Sequence, residues 1–438
     1  MNKSLNIDSQ HPGGKRMKIR SFINIWMMTL FIAFFFWAFP NDIFSKTTKV
    51  SKKAQPPQKA QTTPTTQSGL YCNARSAVLM DGLTGQVLYE QNPQLKIPPA
   101  SFVKILTLYL IYDAIRAGQL KMDDLVTISE KAWRIKGSKM FIKVGDRVKA
   151  EDLMKGVAIA SGNDACIALA EHLSGSEEGF VSKMNEKAKL LGLKDSQFKN
   201  SHGMPAEDQD TTAMDMAILS KRYIEDHPEA LILHSTVEFE YNGIRQGNRN
   251  ILLQKNIGVD GLKTGHIEES GYHLAATAKR DGQRMIAVVM GCDKVRKRGP
   301  EAQKLLEYGF KNFSTVEAVK KGATFGPVKV KRGKLNQVVL IAAEEGRVTV
   351  IRGKENLVST IPQLPQFIIA PIQKGQVVAK VLIQNEGKVA KEVNLLASLG
   401  VEKSLIPPWP ILVGVLCGLA IIIGLGFWWF RRPRQKRL

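Results

Sequence analysis

Residues 98–104 read Pro-Pro-Ala-Ser-Phe-Val-Lys and open an apolar run through Ile105, Leu106, Leu108, Tyr109 and Ile111. A Pro pair suits a helix start, and on a helix Ser101 and Lys104, at i and i+3, share one face about a turn apart. At that separation an amine can hydrogen-bond a hydroxyl, and a serine with a basic partner is the minimal pair for covalent catalysis. A free hydroxyl is scarcely ionised at pH 7, and lysine serves as its base only where burial or a nearby cation lowers its pKa. Taken alone, the pair equally describes a solvated lysine beside a capping serine.

The chain has 438 residues, 44% hydrophobic and 23% charged, which leaves room for two or three domains with a full-sized core. Its net charge of +22 is unevenly placed: the first 68 residues carry +8 and the last 30 carry +5. The excess therefore flanks apolar segments. That pattern expresses membrane topology and a linker, and with no basic motif interleaved with aromatics the chain is expected not to bind nucleic acid.

Residues 22–39 are apolar and follow Lys15, Arg16, Lys18 and Arg20, the order of an export signal, yet no small-x-small cleavage site follows. A cleaved signal and a retained anchor both fit, so residues 1–45 are expected to be a basic cytoplasmic segment plus one or the other. Residues 46–68, rich in Lys, Gln, Thr and Pro, cannot bury a core and should form a flexible linker. Residues 409–430 carry no charge and at 1.5 Å per residue span about 33 Å, enough for a bilayer. The basic tail 431–438 follows at once, so the positive-inside rule puts it in the cytoplasm and the body outside. Cys72, Cys166, Cys292 and Cys417 share no close spacing, which argues against a metal site and for buried thiols, with pairing of Cys72 left open.

The body opens with two β-like runs, 76–80 and 86–90, joined by a glycine-bearing turn. Beyond the Ser101 helix, a second helical pattern from Glu151 is interrupted by Ser161-Gly162-Asn163-Asp164 and then resumes. Such a turn presents a hydroxyl and an amide, or simply caps a helix through Ser161 or Asn163. A third piece, Lys263-Thr264-Gly265, leads into strands 272–280 and 284–291 linked by Asp281-Gly282. Period-2 alternation puts Lys263 and Gly265 on one face and Thr264 on the other, so all three serve one ligand only on a twisted or edge strand. There a glycine lets a substrate backbone pair with the strand.

The ordered triplet Ser-x-x-Lys, Ser-x-Asn, Lys-Thr-Gly is that of β-lactamases and penicillin-binding proteins. Together with the stretches around Ser101, Asn163 and Lys263, Asn200-Ser201-His202-Gly203-Met204-Pro205 and Thr211-Thr212-Ala213-Met214-Asp215, residues 70–310 resemble the low-molecular-mass penicillin-binding proteins that act as serine-type D-alanyl-D-alanine carboxypeptidases. The resemblance implies an α+β catalytic domain over 69–310, an antiparallel sheet flanked by helices plus a helical lobe. It implies that Ser101 attacks the bond between two terminal D-alanines of a peptidoglycan pentapeptide, releases D-alanine and is then freed by water. Lys104, helped by the charge of Lys263, would be its base, and Ser161 would relay the proton. Asn163, Lys263, Thr264, Gly265 and Arg298 would bind substrate, and the backbone N–H groups of Ser101 and His266 would hold the oxyanion. No cofactor or metal is implied, and β-lactam antibiotics become covalent inhibitors. His202 is read as structural, and Gly137-Ser138 as a loop bordering the site.

From about residue 311 the runs turn short and rich in Val and Ile, as in 337–343, 347–352, 367–370 and 376–384. They suggest a small all-β sandwich over 311–403, the C-terminal β domain of such enzymes by resemblance. The expected whole is a carboxypeptidase in a bacterial cytoplasmic membrane, both domains on the extracytoplasmic (periplasmic) side, with oligomeric state open. A β-lactamase, a D,D-endopeptidase and a catalytically silent wall-binding protein are the rival readings.

Overall fold

The computed structural model describes residues 69–404 and 409–431. The expected signal or anchor at 22–39, the linker 46–68 and the tail beyond Arg431 lie outside the described residues. The body is built on a five-stranded antiparallel sheet of β1 (Ser76–Asp81), β2 (Val87–Gln91), β3 (Val259–Ile267), β4 (Gly271–Arg280) and β5 (Gln283–Cys292), in the order β2-β1-β5-β4-β3. The β4–β5 turn takes positive φ at Asp281 (48°) and Gly282 (79°), the requirement that Asp-Gly meets cheaply.

Central β5 is buried along its whole length, which explains its unbroken Met-Ile-Ala-Val-Val-Met reading: both faces are covered. On β1, Val78 and Met80 join one core while Ala77 and Leu79 join another, as a period of two demands. The first core belongs to the helical lobe, made chiefly of α1 (Val103–Arg116), α2 (Ala150–Lys155), α3 (Asn163–Ser174), α4 (Glu177–Leu191) and α5 (Ala213–Asp226). Helix α1 runs through the centre of this lobe, so it is apolar nearly all round. Its Ile105, Leu106, Leu108 and Ile111 are fully buried, each worth up to about 1.5–3 kcal/mol. Helices α4 and α5 start at Ser176 and Thr212, whose hydroxyls accept the backbone N–H three residues on. On the other face α6 (Val295–Asn312) packs Ala302, Leu305 and Leu306 against Leu79, Leu274 and Met285.

Strand β6 (Phe313–Val319) begins at the residue after α6 and pairs with β9 (Gly346–Ile351). That ribbon faces a six-stranded sheet of β7 (Thr324–Lys331), β8 (Gln337–Ala342), β10 (Val358–Gln363), β11 (Phe367–Ile369), β12 (Val377–Asn385) and β13 (Lys388–Ala397), in the order β10-β12-β13-β8-β7-β11. Val319, Val348 and Val350 from the ribbon meet Leu340, Val381, Val393 and Leu395 from the sheet in one core, so the β domain is a sandwich. The junction with the α+β body is polar and specific. Buried Asp81, at the end of β1, accepts from Thr315 and from Thr349 Oγ1 (3.0 Å), while Arg352 Nη2 donates to the carbonyls of Phe310 and Phe313 (2.8 Å each). Cys72, Cys166 and Cys292 are free, buried thiols. Helix α7 (Trp409–Arg431) is long and apolar enough to cross a membrane.

Candidate active site

Ser101 lies in a tight turn, Ala100–Phe102, that leads directly into α1. Ala100 is held at a left-handed φ of 49°, a sparsely populated state for a residue with a Cβ. One turn on, the fully buried Lys104 brings its Nζ to 3.1 Å from Ser101 Oγ and 2.8 Å from Asn163 Oδ1, and it also bonds the His202 carbonyl oxygen. A solvated lysine is thereby excluded.

Helix α2 passes into a π-turn, Gly156–Ala160, and then into Ser161 at φ 61°, ψ 33°. Neither Ser161 nor Asn163 caps α3 with its side chain; Gly162 occupies the N-cap. The left-handed kink instead aims the Ser161 hydroxyl at Ser101 Oγ (3.1 Å), and it accepts from Lys263 Nζ (3.0 Å). Asn163 is held from behind: its N–H donates to the Ser138 carbonyl (2.7 Å) and its Nδ2 to the Lys136 carbonyl (2.8 Å).

Strand β3 is the sheet's edge, with a register shift between Val259 and Gly261. Lys263 and Thr264 are both buried beside the site, and the Lys263 ammonium folds back to the Thr264 carbonyl (3.2 Å). A Cβ on Gly265 would lie 3.4 Å from Ala100 Cβ and 3.2 Å from the His273 ring, so the glycine lets the edge strand lie on the Ala100–Phe102 turn. Arg298, from α6, donates to the carbonyls of Gly265 (3.4 Å) and Arg249 (3.3 Å). The His266 side chain faces solvent and stacks on Tyr272 at 4.0 Å. Ser101, Lys104, Ser161, Asn163 and Lys263 thus form one connected hydrogen-bond chain, bordered by Thr264, Gly265 and Arg298. His266 is brought near through its backbone strand and adds no side-chain contact to that chain.

Burial pushes the Lys104 amine down to about 8, with Arg249 adding to the fall while Cys166 and Asp164 oppose it. Burial holds Lys263 well below the ordinary lysine range, followed by repulsion from Lys104, Arg249 and Arg298. Burial does most of the work on both amines, and the repulsion between these two neighbouring cations is mutual. Two of the partners of Lys104, the Asn163 side-chain oxygen and the His202 carbonyl, can only accept. A neutral amine has two N–H groups for them and one lone pair left for Ser101. That arrangement suits proton abstraction from the serine hydroxyl.

Several participants escaped sequence reading. Arg249 is a further cation, exposed at the rim of the site and anchored to Ser138 Oγ (2.9 Å), and its own carbonyl receives Arg298. Asp164 is fully buried and accepts from the Met140 and Phe141 N–H groups (3.0 Å each), pinning the 136–141 segment to α3. Neither carries a spacing that marks it; only the Asn-Asp pairing in Ser161-Gly162-Asn163-Asp164 hints at the second.

The D-alanyl-D-alanine carboxypeptidase family (peptidase S11) matches residues 60–294, and the penicillin-binding protein 5 C-terminal domain matches residues 313–403. The chain is 43% identical over 339 residues to D-alanyl-D-alanine carboxypeptidase DacC of Escherichia coli, which covers 76% of this chain and 85% of that relative. Its fold is similar to that of penicillin binding protein 5 from Haemophilus influenzae (TM-score 0.71, 38% identity, 77% of this chain and 99% of that one). It is also similar to penicillin-binding protein D2 from Listeria monocytogenes in its ampicillin-bound form (TM-score 0.52, 31% identity, 56% and 100%). With matches that span both the site and the β sandwich, the chain belongs to the D-alanyl-D-alanine carboxypeptidases of the peptidase S11 family.

Proposed function

We propose that this carboxypeptidase removes the terminal D-alanine of peptidoglycan stem peptides through an ester on Ser101, and that β-lactams acylate the same oxygen. The observation that carries the assignment is the unbroken path from Lys104 Nζ through Ser101 Oγ and Ser161 Oγ to Lys263 Nζ, each step 3.0–3.1 Å. Lys104 takes the Ser101 proton as Oγ attacks the carbonyl carbon. The tetrahedral oxyanion is held by the Ser101 and His266 N–H groups. Ser161, backed by Lys263, delivers a proton to the leaving amine, and D-alanine departs. Water, deprotonated along the same path, then hydrolyses the ester. Asn163 binds the peptide backbone, and Thr264 with the Arg298 and Arg249 cations receives the terminal carboxylate. The uncharged span of α7 and the basic tail after it support placement of both domains on the extracytoplasmic face of a cytoplasmic membrane.

The test is peptide mapping of the full chain after penicillin treatment, alongside D-alanine release from a peptide ending in D-Ala-D-Ala. A lasting adduct on the peptide that contains Ser101, with D-alanine released, is expected. An adduct on another residue overturns the assignment, and one lost within seconds identifies a β-lactamase instead.

The rate of that acylation should depend on pH in a set direction. Only the neutral Lys104 amine accepts the serine proton, and its pKa is about 8. The acylation rate constant is therefore expected to rise with pH, to reach half its maximum near pH 8 and to level off about one to two units higher. A rate that falls across this range would remove Lys104 as the base.

A further inference from the structure

Glu177 is a carboxylate that the chemistry above leaves unused, yet it is almost wholly enclosed, at 7% exposure. It sits in the first turn of α4, and its Oε1 accepts both the backbone N–H (3.0 Å) and the hydroxyl (2.8 Å) of Ser201. The same oxygen lies 3.4 Å from His202 Nε2, and its Oε2 is 3.1 Å from Lys131 Nζ. His202 Nδ1 accepts the Met204 N–H (3.2 Å), so Nε2 carries the ring proton and faces the carboxylate. The Ser201 carbonyl in turn receives Thr107 Oγ1 (2.6 Å), and the His202 carbonyl receives Lys104 Nζ. One buried carboxylate thus grips the two residues whose carbonyls meet α1 at Thr107 and Lys104.

Resting on the assignment of Lys104 as base, we propose that Glu177 is a positioning residue: it holds the His202 carbonyl against Lys104 so that the amine lone pair stays aimed at Ser101. Burial raises the Glu177 carboxyl, but the Ser201 donors, His202 and Lys131 outweigh it and keep it ionised. The reason for a charge here is geometric. A carboxylate oxygen can take several donors at once, and an apolar residue would leave the Ser201 N–H unpaired and the segment free to move.

The test compares the full-length protein with Glu177→Gln for penicillin acylation across pH, with thermal melting and peptide turnover measured on both. A misaimed amine is expected to lower the acylation rate constant roughly tenfold or more, and kcat for peptide should fall while KM stays within about twofold. The half-maximal pH should also move down, because a loosened His202 carbonyl stabilises the ammonium form of Lys104 less. Of the other charged or titratable groups around Lys104, Asp164 and Cys166 of α3, Lys263 of β3 and Arg249 are left in place by the substitution, while the His202 ring, 3.4 Å from Glu177, loses its carboxylate partner and is the one group whose own titration also responds. An unaltered rate overturns the proposal. A slower rate at an unmoved midpoint also overturns it, since that is the signature of general loosening. Should Glu177→Gln fail to fold, Ser201→Ala, which removes one of the two Ser201 donors, carries the same comparison. A wild-type protein that does not acylate at Ser101 removes the underlying assignment itself, an outcome the parallel wild-type arm separates from the others.

Discussion

Ser101→Ala should leave a folded protein that forms no penicillin adduct and releases D-alanine about 10⁴-fold more slowly, or not measurably. The loss is chemical. Removing Oγ deletes the atom that becomes the ester, while Lys104 keeps Asn163 and the His202 carbonyl, and Ser161 keeps Lys263. The hydroxyl is partly solvent-exposed, so its removal opens no sealed cavity, and stability should change by less than about 1 kcal/mol. Substrate should still bind, because Asn163, Thr264, Arg249 and Arg298, the side chains proposed above to hold it, are untouched. Intact-mass spectrometry with excess penicillin, melting curves and D-alanine assays on both proteins check this. Adduct formation at the wild-type rate would move the nucleophile elsewhere.

Gly203→Ala should be as damaging for a different reason. Gly203 has φ +88°, and a Cβ there would sit 1.8 Å from the Ala100 carbonyl oxygen and 2.4 Å from its carbon. The obstacle is backbone, so no side-chain rotation relieves it. Ala100 is itself held left-handed and directly precedes Ser101, and any retreat carries the nucleophile with it. A loss of roughly 3 kcal/mol or more is expected, seen as a melting temperature lower by about 6 °C or more. Even at temperatures where the variant is folded, acylation should drop about 10²-fold, the scale associated with a displacement near 1 Å at the reacting atoms. Wild-type melting and acylation would mean that the 200–204 segment does not brace the Ser101 turn.

Much of this molecule was readable before any coordinates because its decisive signals are short in range. A hydroxyl and an amine at i and i+3 meet on any helix, so the Ser101–Lys104 contact follows from local geometry. The hairpin at Asp281-Gly282, the unbroken apolar reading of β5 and the uncharged run from Trp409 are likewise local. The β domain was legible in kind, while strands such as β6, β7, β10 and β13 went unmarked, because half-exposed strands interrupted by polar residues carry weak alternation.

What the amino-acid order determined by itself was therefore the ordered triplet, the helix and strands that carry it, the β character of the last domain and the membrane-length helix, since each depends on spacing along one stretch of backbone. Tertiary structure alone decided the rest. Ser161 reads as a cap until the π-turn and its left-handed φ turn it toward Ser101. Arg249, Asp164, Glu177 and the His202 carbonyl lie tens of residues from the groups they serve and share no period with them. The Lys104 amine is lowered chiefly because α1 is enclosed on all sides, and enclosure belongs to the packed fold: desolvation depends on what other segments bring near, which no local pattern contains.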